Sequence, residues 1–396
     1  MNEIVRAKLS QAVQLLQEYD LPLWIVQFAR ETHENPQPVQ HLAVGTTITW
    51  PAAFIVTATG ESIAIVGTGD VANVEGVGAY GDVRGYVQDI GPVLRECIAH
   101  AAPERIGVSF SRNDDSADNI THGMYVILHD LLSETPYAGR LVPADAVLGA
   151  LRARKLPVEI ARIQYAAEAT LDLFTQIESS LRLGITEREI AQSVHNAVAS
   201  RGWGLAWDRG YDPTVHIGAR SAFGHVGPSE TALQHGDLVH VDLGVKIEGY
   251  CSDLQRTWYV PTPDEAEAPE SVTRPFRVLL RSLEAGFDAL RPGVAGWTVD
   301  DVARRVLTDA GYDHPAFSLG HQLGQSTHDG GTLLGPRWSR YGDRPLGRVE
   351  EGHIYTLEFG LPTSAGWLGV EEDVLVTANG GEYLVPPQRE LRCVRL

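Results

Sequence analysis

Asp242, Asp253, His321, Glu358 and Glu371 lie in the C-terminal part of the chain, each in a strand-like segment or beside glycine. Four carboxylates and one imidazole form a ligand set for two divalent metal ions. The four negative charges offset two M²⁺ ions, and the imidazole binds as the neutral base. Taken singly, each acid also reads as an ordinary surface residue on a strand. The set gains weight from its spacing and its neighbours.

Leu238–Ile247 is a strand by composition, and Tyr250–Val260 is its return. With Glu248 and Gly249 as a two-residue turn, Ile247 opposes Tyr250 and Asp253 opposes Gly244. Side chains alternate with period two, so Asp242 and Asp253 lie diagonally on one face. A one-residue bulge would separate them. Gly244 is expected to leave room for an ion. A second acid pair repeats the device: Ile354–Phe359 reads as a strand, Pro362–Gly366 as a turn and Val370–Val376 as the return. Two such hairpins suggest a duplicated half-domain. Isolated buried carboxylates are costly without compensation, and metal ions supply it.

Between the acid pairs lies Gly320-His321-Gln322-Leu323-Gly324-Gln325-Ser326-Thr327-His328-Asp329-Gly330-Gly331. Its glycines permit close backbone approach and positive φ, so His321 and His328 read as site residues rather than packing residues. His225 lies in a glycine-bearing loop ahead of the first acid strand, where an exposed loop histidine is the other reading.

The elements that must carry these residues follow from periodicity. Met1–Tyr19 is an amphipathic surface helix. Leu23–Phe28 is a buried strand, and Ala53–Val56 with Ser62–Val66 forms a hairpin. Tyr86–Ala102 and Met124–Leu132 read as helices, with a short strand at Arg105–Ser109. Charge at Arg152, Arg154 and Lys155, then Pro157, marks a boundary, giving domains 1–155 and 156–396. Further helices are expected from Val158, over Glu187–Arg201 with Thr186 and Glu189 as a capping box, and over Ser271–Leu290 and Thr298–Ala310. The fold class is α/β (α+β) in two domains.

Composition narrows the partners. Hydrophobic residues make up 43% and charged residues 21% of the 396, with a net charge of −19, as in a soluble globular protein. No run of lysine or arginine offers a phosphate-binding stripe, so nucleic acid is not expected. No stretch of 18 apolar residues spans a membrane. Three scattered cysteines suit a reducing compartment, and a cytoplasmic location is expected.

These motifs resemble a known family. D-L-G…Y-C-S-D-L-Q-R-T at 242–257, G-H-x-L-G-x-x-x-H-D at 320–329, T-L-E-F-G at 356–360 and V-E-E-D-V-L-V-T at 370–377 are similar to the "pita-bread" metallopeptidases: prolidase (Xaa-Pro dipeptidase), aminopeptidase P, methionine aminopeptidase and creatinase. The resemblance runs from about Val158 to Val385. The N-terminal part is similar to that of the prolidase, aminopeptidase P and creatinase branches. It implies a creatinase-like N-terminal α/β domain and a pita-bread catalytic domain. Asp242 and Asp253 would bind one metal, with Asp253 reaching the other. His321 and Glu358 would complete the second site, and Glu371 would bridge both. Glu372 would not bind metal. His225 and His328 map to the family's substrate-facing histidines. Phe359 stands where the family usually has proline, and Gln325 and Thr327 are polar where apolar residues are commoner.

The resemblance implies a hydrolase in which a hydroxide bridges two divalent ions, Mn²⁺ first, with Co²⁺, Zn²⁺ or Fe²⁺ as alternatives. Glu358 would be ligand and general base. His328 and His225 would hydrogen-bond the scissile carbonyl. The expected substrate is a short peptide with proline in second position, most simply a dipeptide. Arg344 resembles the prolidase arginine that grips the proline carboxylate, and a solvated basic loop is its other reading. An aminopeptidase P acting on longer peptides, a lyase or amidinohydrolase of the same fold, and a catalytically dead interaction module are the competing readings. The family resemblance also implies a homodimer.

Overall fold

Ile4, Val5, Leu9, Ala12, Leu15 and Leu16 recur at helical spacing and form the buried face of helix α1 (Asn2–Glu18). The computed structural model describes residues 2–222, 224 and 226–396. The chain divides into two compact units, Met1–Arg152 and Ala153–Leu396. Among the described residues, no helix is long and apolar enough to cross a membrane.

In the first unit, strands β1 (Leu23–Ala29), β2 (Ala52–Thr57), β3 (Ser62–Gly67), β4 (Asp82–Tyr86), β5 (Ile106–Val108) and β6 (Leu141–Pro143) form one sheet in the order β4-β3-β2-β1-β5-β6. β1 is buried along its whole length because both sheet faces are covered, which accounts for its unbroken apolar run. Trp24 and Val26 belong to the core containing the α1 residues, and Leu23 and Ile25 to the opposite one. Helices α2 (Val71–Val77), α3 (Gly91–Ala101), α4 (His122–Leu132) and α5 (Asp145–Ala153) complete the unit.

Two expectations change here. The helix expected over Tyr86–Ala102 is confined to Gly91–Ala101, with Tyr86 ending a strand. α1 is more than a surface helix: Lys8 is fully buried, and its Nζ donates to the Leu151 carbonyl at 2.7 Å. At the boundary, Arg152 and Lys155 are both buried.

The second unit opens with α6 (Pro157–Ser180). Pro157 occupies the first turn, where no N–H is needed, and Glu159 accepts from the Leu156 N–H at 2.7 Å. α7 (Glu187–Ser200) begins with the reciprocal Thr186–Glu189 capping box. Strands β7 (Gly204–Leu205), β8 (Thr214–Ile217), β9 (Leu238–Leu243), β10 (Val245–Ile247), β11 (Tyr250–Cys251) and β12 (Leu254–Tyr259) follow. After α8 (Glu270–Ala289) and α9 (Gly296–Asp309) come β13 (Ile354–Thr363), β14 (Gly366–Thr377), β15 (Gly380–Tyr383) and β16 (Arg392–Cys393). The main sheet runs β13-β14-β12-β9-β8, with β15 on β14 and β16 on β12; β11-β10-β7 form a small second sheet.

Period-two alternation divides this sheet into an apolar face and a polar face. Val239, Val241, Leu243, Leu254 and Trp258 pack with α6 residues, and Leu357, Phe359, Leu368 and Val370 pack with α8 and α9 residues. Phe359, at the position where proline was expected, is core: its ring lies edge-on to Phe317 and beneath the Arg304 guanidinium. Their sequence neighbours on β9, β12, β13 and β14 therefore share the other face, and these include the acids.

The hairpins differ from each other. Ile247 pairs with Tyr250, Leu243 with Leu254 and Asp242 with Gln255, so the diagonal relation of Asp242 to Asp253 holds. Gly244 does not make room for an ion, because a Cβ there would sit 2.2 Å from the Ser252 carbonyl oxygen and 2.6 Å from Ala206 Cβ. The glycine instead lets the ribbon kink from one sheet into the other. In the second hairpin the strands extend into the expected turn, and Thr363 pairs with Gly366. Glu358 and Glu371 are directly opposed rather than diagonal, so the two acid pairs are not geometric copies.

Candidate active site

Adjacent-strand registers put Thr214, Asp242, Gln255, Glu371 and Glu358 in a single row across β8, β9, β12, β14 and β13. Directly paired residues share a face, so one line across the sheet presents three carboxylates. Asp253 stands two residues before Gln255 on that same face. Its N–H donates to Asp373 Oδ2 at 3.2 Å, and Trp207 Nε1 donates to both its carboxylate oxygens at 3.3 and 3.2 Å.

His321 arrives from the glycine-rich segment, which lies along β13: the Thr356 N–H donates to the His321 carbonyl and the Glu358 N–H to the Leu319 carbonyl. A side chain at Gly320 would strike the Thr356 carbonyl oxygen, at 1.8 Å, so glycine is required for that approach. His321 Nδ1 lies 3.4 Å from the Gln322 carbonyl and donates to it, leaving Nε2 as the bare nitrogen. That Nε2 faces Asp253 Oδ2 at 3.7 Å, Glu371 Oε1 at 3.9 Å and Glu358 Oε1 at 4.0 Å.

One atom each of Asp253, His321 and Glu371 lies within 4.8 Å of the others, and all three residues are buried. Asp242 is in hydrogen-bonding contact with Asp253. Asp242 Oδ1 and Glu371 Oε1 are buried with no hydrogen-bond partner among the described residues.

Burial dominates the electrostatics. It pushes Asp242 up to about 7, with the Asp212 charge adding to the effect. Glu358 rises to about 8 through burial and then the Asp242 charge. Asp253 and Glu371 are held well above the usual carboxylate range, again by burial first and by neighbouring acids second. His321 falls well below its ordinary value through burial, then His328. A pocket of acids that resist ionising, two with orphaned oxygens, around a neutral imidazole nitrogen fits divalent cations.

Asp242, His321, His328 and Glu358 line both a cavity of about 410 Å³ and an inner recess of about 50 Å³ that also holds Asp253 and Glu371. His328 meets His321 edge-on with ring centroids 4.3 Å apart, and Trp207 at 4.8 Å. Arg344 lines the larger cavity beside Phe317, Leu333, Tyr341 and Trp367, and its Nε donates to the Gly331 carbonyl at 3.2 Å. His225 lies outside the described residues. Every other expected site residue borders this one region. Glu372 turns away from it to pair with Arg256 at 2.9 Å.

Sequence reasoning missed Trp207, Gln255 and Asp373. Gln255 was within reach, standing two residues after Asp253 and opposite Asp242 in the same register. Nothing in the sequence around Trp207 marks it.

The model of metallopeptidase family M24 matches residues 161–378, more than half of the chain. The chain belongs to metallopeptidase family M24. That membership implies divalent metal ions, in keeping with the acid and imidazole cluster. Relatives in the family include an uncharacterised peptidase of Staphylococcus saprophyticus, 32% identical over 61% of this chain and 65% of that protein. A Xaa-Pro dipeptidase of Pyrococcus furiosus is 31% identical over 62% of this chain and 67% of its own length. The alignments thus span about two thirds of these relatives. The M24 fold is shared with solved structures over nearly the whole chain. A dipeptidase from Mycobacterium ulcerans has a TM-score of 0.75 at 23% identity, covering 100% of this chain and 99% of its own. An X-Pro aminopeptidase from Thermotoga maritima has a TM-score of 0.74 at 21% identity, covering 96% and 100%.

Proposed function

We propose that this protein hydrolyses the Xaa-Pro bond of short peptides, dipeptides first, with two divalent ions held by Asp242, Asp253, His321, Glu358 and Glu371. The observation that carries the reading is the row of acids meeting His321 Nε2 in a cavity that Arg344 also lines. The Pyrococcus furiosus relative, named a Xaa-Pro dipeptidase, supports the choice of bond. Bound there, the ions would supply Lewis-acid activation of water and of the scissile carbonyl. Oxygen ligands with one imidazole favour Mn²⁺.

The chain's own groups do the rest. Glu358, whose Oε1 faces His321 Nε2 at the edge of the cluster, is suited to take a proton from water and return it to the departing proline nitrogen. His328 donates to the carbonyl oxygen as negative charge builds there, and His225 is assigned the same role. A proline amide has no N–H, so it is oriented by shape and by its ends. Phe317, Leu333, Tyr341 and Trp367 supply the walls, and Arg344 receives the terminal carboxylate. The three free cysteines suit a reducing compartment, so we place the protein in the cytoplasm, as a homodimer.

A panel of Xaa-Pro dipeptides and Xaa-Pro-Yaa tripeptides with added Mn²⁺ tests this. Preferred cleavage of the dipeptides is expected. Preference for tripeptides would make the enzyme an aminopeptidase, and no cleavage of either would overturn the reading.

A further inference from the structure

Gln255 uses its whole amide. Its Nε2 donates to Glu358 Oε2 and to Glu371 Oε2, each at 3.0 Å, so both hydrogens are spent on the two opposed acids. The remaining oxygens, Glu358 Oε1 and Glu371 Oε1, are the ones that face His321 Nε2. One amide therefore selects which oxygen of each acid turns toward the imidazole, while every Oε2 keeps a second lone pair.

An amide that flipped would aim its own oxygen at two carboxylates. The carboxylates exclude that orientation, and His240 holds the other side of the amide, its Nε2 lying 2.9 Å from Gln255 Oε1. Since that oxygen can only accept, Nε2 carries the hydrogen and Nδ1 of His240 is bare. His240 Nδ1 lies 3.0 Å from His216 Nδ1, which therefore donates. The two rings are cross-strand partners, stacked at 5.3 Å and 13°, and both are buried. Each bond direction is dictated by the previous one, beginning at the carboxylates.

Gly369 is part of the same device. It lies beside His240 and Gln255, and a Cβ there would sit 2.6 Å from His240 Nε2 and 2.7 Å from Gln255 Oε1. The His240–Gln255 hydrogen bond occupies the space that any larger residue would need.

We propose that Gln255 is a positioning residue for the metal centre, oriented by the His216–His240 pair, and that it sets metal affinity by sorting the oxygens of Glu358 and Glu371. This rests on the metallohydrolase reading above. Outer partners that orient metal-binding carboxylates change affinity by about 10–100-fold when removed.

Mn²⁺ binding to the full-length protein by equilibrium dialysis, and the absorption spectrum of the Co²⁺-loaded protein, test the proposal. Gln255→Met, of similar length and without a donor, should bind at least one ion about tenfold or more weakly and shift the Co²⁺ spectrum. Gly369→Ala should do the same with every polar group still present, which covers the case of Gln255→Met failing to fold. His240→Leu should weaken binding, and His240→Gln, which restores an N–H toward Gln255, should recover it. A merely structural role would not separate those two substitutions. Two Mn²⁺ per wild-type chain with unchanged affinity and spectrum in Gln255→Met or Gly369→Ala would overturn the positioning role alone. No Mn²⁺ on the wild-type protein would overturn this role and the metallohydrolase reading together.

Discussion

Lys155 Nζ lies 2.7 Å from Asp329 Oδ2, and both side chains are withdrawn from water. The pair ties the residue just ahead of α6 to the residue that follows His328. Its place explains why a lysine at a segment boundary is buried: it neutralises an acid that the glycine-rich segment carries inward. Gly324 packs against this pair, with an added Cβ 2.1 Å from Asp329 Oδ2.

Removing one partner of a buried pair strands the other charge. Lys155→Met should therefore cost about 3–5 kcal/mol of stability, measured by urea unfolding in the presence of chelator. Lys155→Met combined with Asp329→Leu should recover part of that loss. Equal destabilisation by the single and double variants would refute the coupling.

Asp253 and Glu371 sit at the centre of the cluster, each near His321 Nε2. Asp253→Asn and Glu371→Gln should lower the metal content of protein loaded with Mn²⁺ and bring activity close to background. Elemental analysis after gel filtration reads this directly. Two ions per chain with normal turnover in Glu371→Gln would remove that residue from the ligand set.

The pH dependence of metal-stripped protein follows from the raised acids. Asp242 moves from 3.8 to about 7 and Glu358 from 4.5 to about 8 on folding. Between roughly pH 4 and pH 8 the folded chain thus holds protons that the unfolded chain has released, and stability falls as pH rises. The contribution is fully present below the unfolded values and is lost through pH 7 and 8. Urea midpoints in chelator should decline over this window. Added Mn²⁺, which favours the deprotonated ligands, should flatten or reverse the slope.

In the proposed reaction His328 stabilises charge that develops only in the transition state. His328→Ala should lower kcat by about 10²–10³-fold, as loss of one oxyanion donor does, with little change in metal content. Steady-state kinetics with metal analysis separates this from ligand loss. A matching fall in bound metal would assign His328 to the metal site instead.

Arg344 tests dipeptide preference. A charged hydrogen bond is worth about 1.5–3 kcal/mol, so Arg344→Ala should raise KM for Xaa-Pro dipeptides by about tenfold or more. Tripeptides, whose carboxylate lies one residue further out, should be affected less. An unchanged dipeptide KM would return Arg344 to the role of a loop residue.

The acids, His321 and His328 stood out as candidates because metal chemistry restricts residue types and because strand alternation assigns faces. Asp242 and Asp253 were placed correctly by counting from the Glu248-Gly249 turn. The same counting misjudged Gly244, since whether a glycine's empty space faces an ion or a neighbouring carbonyl depends on where the ribbon bends.

Local sequence thus determined most of the longer helices and the strands that carry the acids, and it singled out the candidate residues suited to metal. Tertiary structure alone decided that β12 lies between β9 and β14, which brings Gln255 between Asp242 and Glu371 and sets Trp207 against Asp253. Strand order in a sheet comes from non-local pairing that no single segment encodes. The residues that orient the acids are for that reason the ones a linear reading passes over.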